Sequence, residues 1–69
     1  MVEIFKTNVQ KNKQAIALTA LLSDTFAHHI IRFDLEDCDK ILRVEGHAVN
    51  PSAIVALMQA QGYQCEILL

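Results

Sequence analysis

The chain of 69 residues lacks tryptophan and is poor in the residues that mark several specialised classes of protein. Its two glycines, Gly46 and Gly62, stand far apart, which excludes a glycine-rich phosphate-binding loop. Its two cysteines, Cys38 and Cys65, are too few for a disulfide scaffold, and their spacing matches no zinc motif. No nucleophile–base pair is visible either, so the sequence predicts a protein that is not an enzyme.

An excess of positive charge and a long apolar run are also missing. The chain has six basic and eight acidic residues, and the resulting formal net charge of −2 argues against nucleic acid as a partner. No apolar run approaches the roughly 20 residues that cross a bilayer, so membrane insertion is not expected. The first residues contain no apolar signal-peptide stretch, and a cytoplasmic location is therefore the expectation.

The residues that are present suit one small folded domain spanning 1–69. Hydrophobic types make up 52% of the chain and charged types 20%, a balance that supports a packed core and excludes the composition of a disordered chain. A chain this short buries only ~60% of its unfolded surface, so its stability depends on good packing or on a partner.

Hydrophobic periodicity divides the chain into six elements. Alternating or β-branched runs predict strands, and apolar residues three and four positions apart predict helices. Asn8 or Asn12 could cap the first helix, whereas Asn50 and Pro51 open the second and Gly62 ends it. The predicted elements are strand 2–7, helix 12–26, strand 29–36, strand 40–46, helix 51–61 and strand 64–69.

This order predicts an α+β, ferredoxin-like βαββαβ fold with two helices on one face of a four-stranded antiparallel sheet. The expected strand order is 4-1-3-2, which leaves the second and fourth strands at the edges. The other sheet face is open, and Ile41 would lie on it together with either Ile4 or Phe5, which point to opposite faces. A homodimer could form through this open face or through an edge strand such as 29–36.

Several phrases of the sequence, in this order, resemble the heavy-metal-associated (HMA) domain, the small module of copper chaperones and metal-pump termini. The resemblance covers essentially the whole chain and implies the same fold. The matching phrases are Phe5-Lys6-Thr7-Asn8-Val9, the helix positions Ala15, Leu18 and Leu22, the strand 40–46, Val49-Asn50-Pro51 and Gln61-Gly62-Tyr63.

The metal-binding motif of that family is absent. HMA domains carry a Cys-x-x-Cys pair after the first strand, where two thiolates hold a soft ion such as Cu(I). Aligned from Val9, the cysteine positions fall on Lys11 and Gln14, neither of which can hold a soft metal. Tyr63 is expected to pack beside this loop. The resemblance therefore implies a small non-catalytic binding module with no resident cofactor, which acts on an unknown protein partner.

Two other groups of residues offer alternatives. Pairing Glu36 with Lys40 across a three-residue turn would put His29 opposite His47, close enough to share Zn²⁺ or Cu²⁺, and His28 could add a third ligand. A re-sited metal-binding or metal-transport protein is thus one alternative, and a small-molecule-binding regulatory dimer is another.

Charged residues at one end of the fold are candidates for partner docking: Lys6, Lys11, Lys13, Asp37 and Asp39, with Asp34 and Glu36 beside them.

Overall fold

A computed structural model describes residues 1–68, and it has the predicted ferredoxin-like α+β architecture. The predicted last strand extends to Leu69, which lies outside the described residues. The elements are β1 (Val2–Thr7), α1 (Asn12–Thr25), β2 (Ile30–Asp34), β3 (Ile41–Glu45), α2 (Pro51–Ala60) and β4 (Cys65–Leu68).

The sheet is antiparallel throughout, and its order β2-β3-β1-β4 confirms the predicted topology. The strands β2 and β4 form its edges. Helix α1 contacts β2 and helix α2 contacts β4, so each helix covers one half of the same sheet face. Among the described residues, no helix is both long and apolar enough to cross a membrane.

The core lies between the two helices and this sheet face. Phe5 belongs to it and is fully buried, whereas Ile4 is half-buried on the open face, which decides the orientation that the sequence left open. Apolar burial of this kind is the main term that stabilises so small a domain. The buried hydrophobic residues are Phe5, Val9, Ala15, Leu18, Leu22, Leu42, Val44, Val49, Ile54, Met58 and Cys65.

The two helices begin differently. The Asn50 side chain accepts a hydrogen bond from the amide of Ala53 at 3.3 Å, with Pro51 in the first turn, so the predicted cap of α2 is confirmed. After α2, Gly62 adopts φ +92°, a left-handed conformation that favours glycine.

The predicted caps of α1 are wrong, because the residue before its first turn is Lys11. Asn12 already lies inside the helix, in its first position. Asn8 instead accepts a hydrogen bond from the amide of Gln64 at 2.8 Å and so links the end of β1 to the start of β4.

Candidate functional site

The start of α1, where the sequence has Lys11 and Gln14, is held by an amide side chain. The Gln14 Oε1 accepts hydrogen bonds from the backbone N–H groups of Lys11 at 3.2 Å and Gln10 at 3.3 Å. Because the first amides of a helix have no partner inside the helix, an acceptor at this position stabilises its first turn. Gln14 therefore caps the start of α1.

The other residues of this loop do not provide a soft-metal site either. Val9 is fully buried and packs in the core, so it anchors the loop rather than offering a ligand. The exposed Lys11 carries an ammonium group, which has three donors and no acceptor lone pair. The residues present at this loop do not fit Cu(I), since thiolate or thioether ligands are what select that ion.

The end of β1 is joined to the β2–β3 loop. The buried Thr7 donates from its hydroxyl to the carbonyl of Lys40 at 2.5 Å, and the same oxygen accepts from the amide of Val9 at 3.2 Å. The amide of Thr7 donates to the carbonyl of Asp39 at 3.0 Å. This junction fixes where the loop between β1 and α1 leaves the sheet.

The predicted docking residues come together only in part. Lys6 Nζ lies 3.8 Å from an Asp39 carboxylate oxygen, so the two charge clusters meet at one end of the fold. Both side chains are well exposed, and such pairs contribute little stability. Lys11 and Lys13 are exposed at the start of α1, and no salt bridge found within residues 1–68 includes them.

The loop between β2 and β3 contains one compact set of donor atoms. Asp37, Cys38 and Asp39 each offer an atom within 4.8 Å of the others, and no other group of three His, Cys, Asp or Glu residues in the described part of the chain does so. The Asp37 carboxylate already accepts from the amide of Asp39 at 2.9 Å, and Asp39 faces Lys6. Both carboxylates therefore already take part in contacts that stabilise the conformation of the β2–β3 loop.

The predicted pairing of His29 with His47 is wrong by one residue. Asp34 pairs with Ile41 and Ile30 with Glu45, a register that puts His29 opposite Gly46. The reason lies in the loop, where the amide of Lys40 donates to the carbonyl of Asp37 at 3.0 Å and Lys40 takes a left-handed φ of 47°. Lys40 therefore belongs to the loop and not to β3.

The His29 ring is used for packing and local hydrogen bonding. Its Nδ1 lies 2.9 Å from the carbonyl oxygen of Ala27, and its Nε2 lies 3.3 Å from that of Ala48. The ring also lies against Gly46, where a Cβ would come within 3.0 Å of it. Both nitrogens face carbonyl oxygens, so a metal ion would have to displace one of these contacts.

The other two histidines line a hollow at this end of the sheet. His28, with a left-handed φ of 65°, and His47 are both exposed and line a shallow hollow of about 270 Å³ beside Met1 and Glu45. His29 does not line that hollow. The structure therefore places His28 and His47 on one hollow, whereas His29, the predicted cross-strand partner of His47, does not line it.

A second hollow, of about 390 Å³, lies between β1, β4 and the end of α2. Tyr63 lines it with Lys6 and Thr7 and also packs against the core, close to the end of β1. Cys65 lies on the same wall and is buried. Burial, reinforced by the neighbouring Glu66 carboxylate, raises the pKa of the Cys65 thiol from 9.0 to about 11.

We expect the two thiols to react very differently with a thiol reagent such as dithionitrobenzoate. A pKa raised from 9.0 to about 11 leaves roughly 100-fold less thiolate at neutral pH, and burial also limits access, whereas Cys38 is exposed. One equivalent should react rapidly in the native protein and the second only after unfolding. Equal rates for both thiols in the native protein would contradict this placement.

The same shift predicts a loss of stability in alkali. The folded state favours the neutral thiol, so its contribution is complete below pH 9 and is lost as the pH rises towards 11. A Cys65→Ala variant should lack this component of the pH dependence, and a Cys38→Ala variant should retain it. Urea unfolding at several pH values measures the difference.

Beside the β2 edge lies an apolar groove, formed with Ile16 of α1, that was not predicted from the sequence. Ile16 on α1 is 71% exposed, the highest value among the large hydrophobic residues that are exposed in the described part of the chain. It lines a groove of about 410 Å³ with Phe33 of β2. Ile16 falls outside the stripe of Ala15, Leu18 and Leu22, which is the pattern signal that marks it as an outward-facing residue.

Comparison with known proteins adds no assignment: no protein-family model matches the chain, and searches of curated proteins and of solved structures find no significant match.

Proposed function

We propose that this chain is a small, non-catalytic HMA-like binding module that lacks the soft-metal site and acts through contact with another protein. The observation that supports the proposal is the start of α1, where Lys11 and Gln14, the residues that the resemblance aligns with the family's two cysteines, offer no soft ligand. The Gln14 amide caps the helix there, and the Lys11 side chain is cationic. The loop thus has a structural use of its own that does not depend on a bound ion.

Exposed apolar side chains support a role in protein contact. Val2 is 45% exposed, Ile30 is 52% exposed, and both lie on the open sheet face, while Ile16 projects from α1. Isolated exposed apolar residues are common on protein surfaces. In this small domain they occur together with an edge strand and an apolar groove, a combination that favours an interaction surface. The raised pKa of Cys65 supports the non-catalytic part of the proposal, since a nucleophilic cysteine needs a thiolate.

Equilibrium dialysis of the reduced, untagged protein against Cu(I), Cu(II) and Zn(II) tests the metal part of this proposal. We expect no stoichiometric Cu(I), because residues 1–68 place no pair of cysteines in the loop between β1 and α1. One tightly held Cu(I) per chain would overturn the proposal. One equivalent of Cu(II) or Zn(II) that disappears in a His29→Ala/His47→Ala variant would replace it with a re-sited metal binder.

A further inference from the structure

The outer edge of β2 is open to pairing. Strand β2 is bonded to β3 on one side only, and alternate backbone N–H and C=O groups of such a strand point outward. Natural edges are commonly protected by proline, lysine or a bulge. The segment Ile30–Asp34, Ile-Ile-Arg-Phe-Asp, contains neither proline nor lysine and pairs with β3 residue for residue.

An apolar surface lies next to this edge, on the side of the sheet that the helices cover. The groove between α1 and β2 has Ala15 and Ile16 on one side and the half-buried Phe33 on the other. Ile16 projects most of its surface into solvent at this place. A partner that extends the sheet at β2 would therefore also meet an apolar helix face.

The charges of β2 are self-complementary in one register. In an antiparallel pair of strands, opposite residues point to the same face of the sheet. A two-fold axis perpendicular to the sheet must therefore place one residue of β2 opposite its own copy, and that residue defines the register. An axis at Arg32 would set Arg32 against its own copy, and an axis at Asp34 would do the same with Asp34. An axis at Phe33 sets Arg32 opposite Asp34 of the partner subunit, and symmetry makes that contact twice.

Arg32 has no acidic partner on the strand beside it. Its cross-strand neighbour on β3 is Arg43, a like charge, and Arg43 itself pairs with Glu45 at 3.4 Å. No salt bridge found among residues 1–68 includes Arg32. Like charges directly opposite each other on a sheet are destabilising, so an acidic group on the free side of β2 would relieve this pair.

We infer that two copies of this chain form a symmetric dimer through antiparallel pairing of their β2 strands, centred on Phe33. The sheet becomes continuous over eight strands, with Arg32–Asp34 pairs on the open face and Phe33 and Ile16 of both copies on the helix face. This inference rests on the proposed function, since it names the protein partner as a second copy. A short strand and one helix face bury less than the ~1,600 Å² of a standard interface, so the dimer is reversible.

Sedimentation equilibrium over a wide range of protein concentration, roughly 10 μM to 1 mM, tests the dimer. We expect a monomer–dimer equilibrium in the wild type. Ile16→Glu should raise the dissociation constant at least about tenfold, because it buries a charge in the apolar contact. Ala56→Glu, which adds the same charge at an exposed position of α2, should leave the equilibrium unchanged.

Charge reversal tests the register. Arg32→Asp and Asp34→Arg each create two like-charge contacts, and each should raise the dissociation constant by on the order of tenfold. The double variant Arg32→Asp/Asp34→Arg restores both pairs in reverse and should dimerise nearly as well as the wild type. Circular dichroism of each variant confirms that the monomer remains folded.

A wild type that stays monomeric throughout this range overturns the inference, as does a dimer that none of these substitutions weakens. Single variants that weaken the dimer without rescue in the double variant overturn the register centred on Phe33. None of these outcomes bears on metal binding. Tight Cu(I) binding by a normal dimer, in contrast, would overturn the proposed function and leave the dimer standing.

Discussion

Replacing Phe5 with alanine is expected to abolish most of the stability of the domain. Phe5 is fully buried, and it lies opposite Leu42 of β3 on one side and Ile67 of β4 on the other. Removing such a ring costs about 3–5 kcal/mol, because the lost apolar contacts leave a cavity. The whole free energy of unfolding of a chain this size is roughly 3–10 kcal/mol. Urea denaturation followed by circular dichroism should show a partly or fully unfolded variant.

The neighbouring Ile4 provides a matched control. Ile4 belongs to the same strand but is half-buried on the open face, opposite Arg43 and Leu68. Ile4→Ala should therefore cost only about 1 kcal/mol, since a half-exposed side chain gains less from burial. Similar losses for the two variants would contradict the orientation of β1 described above.

Placing cysteine at both Lys11 and Gln14 is expected to create a Cu(I) site at the start of α1. Lys11 precedes the first turn of α1 and Gln14 lies in it, and the Gln14 side chain already reaches back to the Lys11 amide at 3.2 Å. Two thiols at these positions would lie on the same side of the helix start. The free amides of the first turn would stabilise their thiolates, which are the form that binds metal.

The matched control carries the same two thiols, at the same spacing, away from a helix start. Ala56→Cys/Gln59→Cys uses two exposed positions within α2. Lowering each thiol pKa by about one unit at a helix N-terminus strengthens metal binding near neutral pH by roughly 100-fold for a pair. Competition with a chromophoric Cu(I) chelator measures both affinities. Equal affinities would show that the start of α1 has no special geometry for metal.

Removing the Gln14 amide also has a structural consequence. The cap bonds to Lys11 and Gln10 would be lost, at a cost of about 0.5–2 kcal/mol typical of helix caps. The Lys11→Cys/Gln14→Cys variant should thus be less stable than the wild type without metal and should regain stability with Cu(I). Binding that favours only the folded state produces this effect.

Much of the fold could be predicted from local patterns. The cap and first-turn proline at Asn50 and Pro51 and the glycine at Gly62 marked the ends of α2, because caps are decided by groups a few residues apart. Alternation along 29–36 indicated a strand, although the observed β2 is shorter. The right-handed connection rule then converted the order of elements into the observed sheet.

The details of the candidate site depended on contacts between distant residues. The wrong pairing of His29 arose because one left-handed residue, Lys40, changes the length of the β2–β3 loop and hence the register. The role of Asn8 was missed because its partner, Gln64, lies 56 residues away. The capping role of Gln14 had a usable signal, an amide three residues after the helix cap, which the capping-box pattern describes.

The sequence by itself determined the elements, their order and the absence of a cysteine pair at Lys11 and Gln14, because periodicity, caps and ligand chemistry are properties of neighbouring residues. Only the tertiary structure decided that Phe5 rather than Ile4 enters the core and that Arg32 faces Arg43 across the sheet. It also decided that Ile16 adjoins an open strand edge. These outcomes depend on strand register and on how the helices pack, and both are set by the whole chain.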